Sequence, residues 1–189
     1  MATAAVNVGS GEHRVLALHG WFGSAKGWGS LPDYVDTDVY SWAFMDLRGY
    51  GSRKDVAGEF TMREAAADAL ALADELGWER FSLVGHSMTG QAIQHVLLAA
   101  PDRVRRLVAI TPVPAVATPF DADGWALFSG AAENLGNRAT IIDFTTGSRL
   151  TPAFVDRLVQ HSADESTEGV AMKKARCEHR AFRRRKPAA

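Results

Sequence analysis

The chain has 189 residues, 47% apolar and 23% charged, with a net charge of −1. That balance fits one packed domain and excludes a disordered, acidic or collagen-like chain. One cysteine, Cys177, excludes a disulfide framework and a cysteine-based zinc site within one chain.

The first clear strand is residues 15–19, an apolar run that ends at Gly20. A glycine-rich loop follows, with glycines at 20, 23, 27 and 29. Residues 39–45 are rich in β-formers and predict a second strand, which runs into Asp46-Leu47-Arg48-Gly49-Tyr50-Gly51. Thr61 and Glu64 have capping-box spacing, so a helix is expected over residues 65–76, closed by Gly77. A third strand at residues 81–84 leads to Gly85-His86-Ser87-Met88-Thr89-Gly90, and a helix from about 88 to 100 stops before Pro101. Residues 106–111 predict a fourth strand. From Asp121 the texture is helical, three or four short helices, with Thr151-Pro152 as a good start for one.

Strands separated by crossovers of this length suit a mostly parallel sheet with helices on both faces. The expected organisation is an α/β core over residues 1–113, a helical cap-like segment over 114–172 and a basic tail over 173–189. The tail is +7 and the remaining chain is −8. The acidic body argues against nucleic acid as the main partner. No apolar run approaches the roughly 18 residues of a membrane span, and residues 1–11 lack the features of a signal peptide. A cytoplasmic location and no membrane partner are expected; the oligomeric state is not readable.

The chemistry concentrates where the third strand turns into a helix. Gly85-His86-Ser87-Met88-Thr89 matches the nucleophile-elbow pattern in its structural context, with Thr89 in the place of the last glycine. A serine there stands over a helix N-terminus, where free N–H groups favour developing negative charge. The glycine-rich loop His19-Gly20-Trp21-Phe22-Gly23 can aim a backbone N–H at the same place.

These segments, with residues 46–51, resemble the α/β-hydrolase superfamily in order and spacing. The resemblance implies Ser87 as nucleophile and the N–H groups of Trp21 and Met88 as the oxyanion hole. It implies hydrolysis of a small ester or related acyl substrate, with no metal and no organic cofactor. A serine at the elbow argues against the dehalogenase and epoxide-hydrolase branches. Two alternatives stay open: a cofactor-free lyase, oxygenase or acyltransferase on the same scaffold, and a non-catalytic ligand-binding protein.

The superfamily also needs an acid and a histidine later in the chain, and neither is evident. We expect a chain truncated or frame-shifted near residue 170, with impaired catalysis; a genuine short homologue with a basic tail is the alternative. His95 lies about 12 Å along its helix from Ser87, and His13 lies at the far end of the sheet. His161 and His179 are the candidate substitutes for the base, weighed against solvated histidines. Asp121 and Asp123 are candidate acids, weighed against helix caps. His86 is expected to point away from the serine, His19 to prop its loop, and Asp46 and Arg48 to brace the loops as an ion pair. Cys177 is read as an inert thiol.

Overall fold

The computed structural model describes residues 5–115, 120–163 and 165–171. Expectations for the tail, including His179 and Cys177, lie outside them. Five strands form one sheet in the order β1-β3-β2-β4-β5. They are β1 (Ala5–Val8), β2 (His13–Leu18), β3 (Tyr40–Met45), β4 (Phe81–His86) and β5 (Val104–Ile110). The last four run parallel, and β1 pairs antiparallel with β3, Ala5 opposite Met45. β1 has no counterpart among the predicted strands. The other strands match those expected within two residues at each end.

Alternation along the strands divides the core in two. Leu16, Leu18, Ala43, Met45, Phe81 and Leu83 share one apolar cluster with α1 (Met62–Glu75) and α2 (Thr89–Ala99). Val15, Ala17, Phe44 and Val84 face the other way. There the cover is Ala25, Trp28 and Leu31, from the loop and the 3₁₀ turn Leu31–Tyr34. The two long helices therefore lie on one face, and among the described residues the apolar cluster of the second face is covered by that loop and turn. Among the described residues β5 is bonded on one side only, to β4, and leaves Val108 and Ile110 exposed.

Local signals explain the ends of α1. Thr61 Oγ1 accepts the Glu64 N–H at 3.1 Å, the forward half of a capping box. The reverse half is displaced, because the Glu64 carboxylate takes the N–H groups of Phe60 and Glu59 instead. Gly77, at φ +68, closes the helix in the left-handed region.

Four helices follow β5: α3 (Ala122–Ser129), α4 (Leu135–Thr145), α5 (Pro152–Ser162) and α6 (Thr167–Ala171). Arg138 on α4 joins the turn at residues 130–132 to the end of α5. Its guanidinium donates to the carbonyls of Ala131 at 2.7 Å and Ala132 at 3.1 Å, and to both the carbonyl and the hydroxyl of Ser162. Its charge also lies over the Phe22 ring, 5.6 Å from the centroid. Arg138 so connects α4, the end of α5 and the glycine-rich loop of the core.

Glu165 faces Arg138 at 3.8 Å, with both side chains nearly inaccessible to water. The separation exceeds a hydrogen bond, and Oε2 of Glu165 has no hydrogen-bond partner among the described residues. Burial pushes the Glu165 carboxyl from its ordinary 4.5 up to about 9, and Arg138 opposes this more weakly. A folded-state pKa above the unfolded value means that folding favours the protonated form. That stabilisation is complete below about pH 4.5 and declines as the pH rises toward about 9. Melting curves between pH 5 and 9 should therefore fall more steeply for the parent than for Glu165→Gln. Equal pH slopes would show that Glu165 does not titrate in this window.

Candidate active site

Ser87 sits at the junction of β4 and α2 with φ +55, a left-handed conformation that a non-glycine residue rarely holds. Three hydrogen bonds impose it. The Ser87 N–H donates to the Ile110 carbonyl at 3.0 Å, and the Ser87 carbonyl accepts from Gly90 N–H at 3.1 Å and Val113 N–H at 3.0 Å. Strain of this kind, over-determined by its surroundings, is typical of functional turns.

The turn leaves no room beside it. A Cβ on Gly85 would stand 2.7 Å from the Thr89 carbonyl oxygen and 2.9 Å from Ile93 Cδ1. A Cβ on Gly20 would stand 2.6 Å from His86 Nδ1 and 3.3 Å from Ser87 Cβ, so the glycine-rich loop passes directly against the turn. Thr89 is fully buried, and its hydroxyl is bonded on both sides. Thr89→Leu removes those bonds and adds volume to a closed space. It is expected to cost on the order of 3 kcal/mol, read by urea denaturation. A midpoint equal to the parent's would contradict the packing described.

The loop is fixed by two buried side chains. His19 donates from Nδ1 to the Gly20 carbonyl at 2.8 Å and accepts the Leu47 N–H on Nε2 at 3.2 Å. Burial lowers its pKa to about 4. Neutral and with both nitrogens committed, His19 props the loop, as expected from the sequence.

Asp46 accepts the Ala25 N–H on one oxygen, and the Ser52 N–H and hydroxyl on the other. Arg48 instead forms a two-pronged ion pair with Asp68 on α1, at 2.7 and 2.8 Å. The expected Asp46–Arg48 pair is thus replaced by two separate braces. Asp46 and Arg48 stand two positions apart where the strand gives way to a turn, and their side chains diverge, Asp46 to the loop at Ala25 and Arg48 to α1.

The N–H groups of Trp21 and Met88 donate to no acceptor among the described residues. The Trp21 indole donates to the Val170 carbonyl at 2.8 Å, and its ring stacks on Phe22 and Phe128. Tyr50, whose pKa burial holds well above the ordinary value, donates to the Gly169 carbonyl at 3.2 Å. The helical segment thus returns across the loops that flank Ser87. A small crevice there is lined by Leu47, Tyr50, Phe60, Met62, Met88 and Gly169; Ser87 is not part of its wall.

No histidine or carboxylate among the described residues hydrogen-bonds Ser87. His161 reaches the glycine-rich loop, but its Nε2 lies 3.3 Å from Ser24 Oγ. His13 meets Arg105 at 2.9 Å. Asp121 caps α3 by accepting the Gly124 N–H at 2.7 Å, and Asp123 is exposed in its first turn. Sequence reasoning missed the bonds of Thr89 and the contact of His161 with Ser24. The threonine in a glycine's place was the one available signal for the first. Among the described residues no group of three or more potential metal ligands occurs, and no helix is long and apolar enough to cross a membrane.

A parallel sheet with a left-handed serine between a strand and a helix defines a class of α/β enzyme folds. Residues 13–151 match the family model described as the alpha/beta hydrolase fold, and the chain belongs to that family. A 2-hydroxy-6-oxononadienedioate/2-hydroxy-6-oxononatrienedioate hydrolase from Dechloromonas aromatica is 28% identical over 162 residues, covering 79% of this chain and 56% of the relative. A fluoroacetate dehalogenase from a Burkholderia species is 31% identical over 112 residues, covering 57% of this chain and 36% of the relative. Among solved structures, a hydrolase from Oleispira antarctica superposes with a TM-score of 0.76 at 19% identity, covering 90% of this chain and 67% of that one. An esterase from Exiguobacterium antarcticum superposes with a TM-score of 0.75 at 20% identity, covering 93% and 68%. The chain spans little more than half the length of the Dechloromonas relative and about a third of the Burkholderia one.

Proposed function

We propose that the chain is a serine-dependent hydrolase for small esters or related acyl compounds. The observation that carries this reading is Ser87 itself, held at φ +55 between β4 and α2, with two backbone donors nearby that meet no acceptor among the described residues. In this reading Ser87 Oγ attacks the acyl carbon. The carbonyl oxygen becomes an oxyanion held by the N–H groups of Trp21 and Met88. The intermediate collapses to an acyl-serine as the alcohol leaves with a proton, and water then releases the acid and restores the hydroxyl. No metal or organic cofactor is needed, and the partner is a small molecule in a cytoplasmic setting.

Serine in place of aspartate at the elbow separates this reading from the chemistry named for the dehalogenase relative. Among the described residues no base hydrogen-bonds Ser87, and this favours a second reading, a protein that binds an acyl ligand without turning it over. A fluorophosphonate probe tests the first. Labelling is expected on the peptide that contains Ser87 and should vanish in Ser87→Ala, with the melting temperature nearly unchanged. Equal labelling of parent and variant would overturn the assignment of the nucleophile.

A further inference from the structure

We propose that Thr89 is a positioning residue whose hydroxyl sets the spacing between the two backbone donors at Trp21 and Met88; this rests on the reading of Ser87 as nucleophile. Leu18 is the last residue of β2 and pairs with Gly85 of β4. Beyond that pair the strands part, one into the loop that carries Trp21, the other into the turn that carries Ser87 and Met88.

Thr89 bridges the gap where the strands part. Its hydroxyl accepts the His86 N–H at 3.0 Å and donates to the Leu18 carbonyl at 2.8 Å, with the His86 carbonyl at 3.0 Å as the alternative acceptor. One hydroxyl thus adds a rung that joins the loop's first anchor to the turn. Glycine, which the elbow pattern would place here, offers no such bond. The side chain is fully buried, so water does not compete for it.

Two donors act together on an oxyanion only if both lie about 2.7–3.1 Å from where it forms. Residue 89 touches no reacting atom. It acts through the separation of two elements, each of which is braced elsewhere, the loop by His19 and the turn by Ile110.

The experiment compares the full chain with Thr89→Val, which keeps the shape and removes the hydroxyl, and Thr89→Ser, which keeps the hydroxyl. Thr89→Ala is the second variant should valine fail to fold. Backbone hydrogen exchange is followed at Gly23 and Leu47, whose N–H groups bond to the loop, and at His86, with Phe81, Leu83 and α1 as internal reference. Loss of the rung should speed exchange at Gly23, Leu47 and His86 by about tenfold relative to that reference, and Thr89→Ser should restore it. In the same proteins the maximal rate of fluorophosphonate labelling should fall about tenfold, with the half-saturating probe concentration unchanged.

Uniform acceleration across β4 and α1, or none at Gly23 and Leu47, would overturn the proposal, as would Thr89→Val labelling as fast as Thr89→Ser. Labelling that is absent from the parent, or survives Ser87→Ala, would instead remove the nucleophile. The positioning role toward that chemistry would fall with it, and the exchange data would still decide whether Thr89 couples the two elements.

Discussion

Purified protein is expected to hydrolyse p-nitrophenyl acetate and butyrate at a rate ~10⁴–10⁶ below the roughly 10 per second of an ordinary enzyme. A serine hydroxyl is a weak nucleophile at neutral pH, and it gains reactivity from a base about 2.6–3.2 Å away. No described side chain offers that to Ser87. His161 is spent on Ser24 at 3.3 Å, and His19 is neutral with both nitrogens bonded. What remains is the stabilisation of an oxyanion by two N–H groups, which in serine hydrolases leaves a residue of catalysis. Ser87→Ala should abolish that residue. Turnover near 10 per second that disappears in Ser87→Ala would show that a base exists within the chain. His161→Ala and His179→Ala would then locate it, and the expectation of slow turnover would be wrong.

The turn around Ser87 was legible because its requirements are local. A strand, a glycine two residues before the serine and a helix start are all visible in twelve residues, and steric exclusion at Gly85 supplies the reason. The parallel strands were legible from their crossovers. β1 was not, because Ala5–Val8 is four residues long and gains its place only by pairing with β3, some 35 residues away. Strand order likewise depends on contacts that no local window contains.

The braces show the same division. Asp46 and Arg48 were both marked as loop supports, but adjacency pointed to the wrong partners. The better signal was the spacing of Glu64 and Asp68, four apart on α1 and so on one face. Arg48 lies between them, 3.5 Å from Glu64 and bidentate on Asp68. Arg53 adds a second contact to Asp68 at 2.9 Å, and these cations hold the Asp68 carboxyl below its ordinary pKa against the opposing effect of burial. The result fixes the turn at residues 48–53 to the helix that packs under the sheet.

Nothing in the sequence marks Arg138, and it predicts the largest loss of stability. A single arginine in the middle of a short helix reads as a solvated charge, whereas here it is almost completely buried. Arg138→Met keeps the length and removes the guanidinium. The carbonyls of Ala131, Ala132 and Ser162 and the Ser162 hydroxyl then lose their donor in a place closed to water. Removing one member of a buried charged network costs about 3–5 kcal/mol. Protonation of Glu165, already favoured by burial, spares the protein an unpaired carboxylate and sets the expectation at the lower end. For a chain of this size that lowers the melting temperature by roughly 10 °C. Arg138→Lys should recover little, since one ammonium cannot reproduce a planar fork that reaches three carbonyls. The loss should appear first in the helical segment, as protease cleavage within residues 120–163 while β2, β3 and β4 stay protected from hydrogen exchange. A methionine variant that melts within a degree of the parent would show that the helices are held to the core by apolar packing alone.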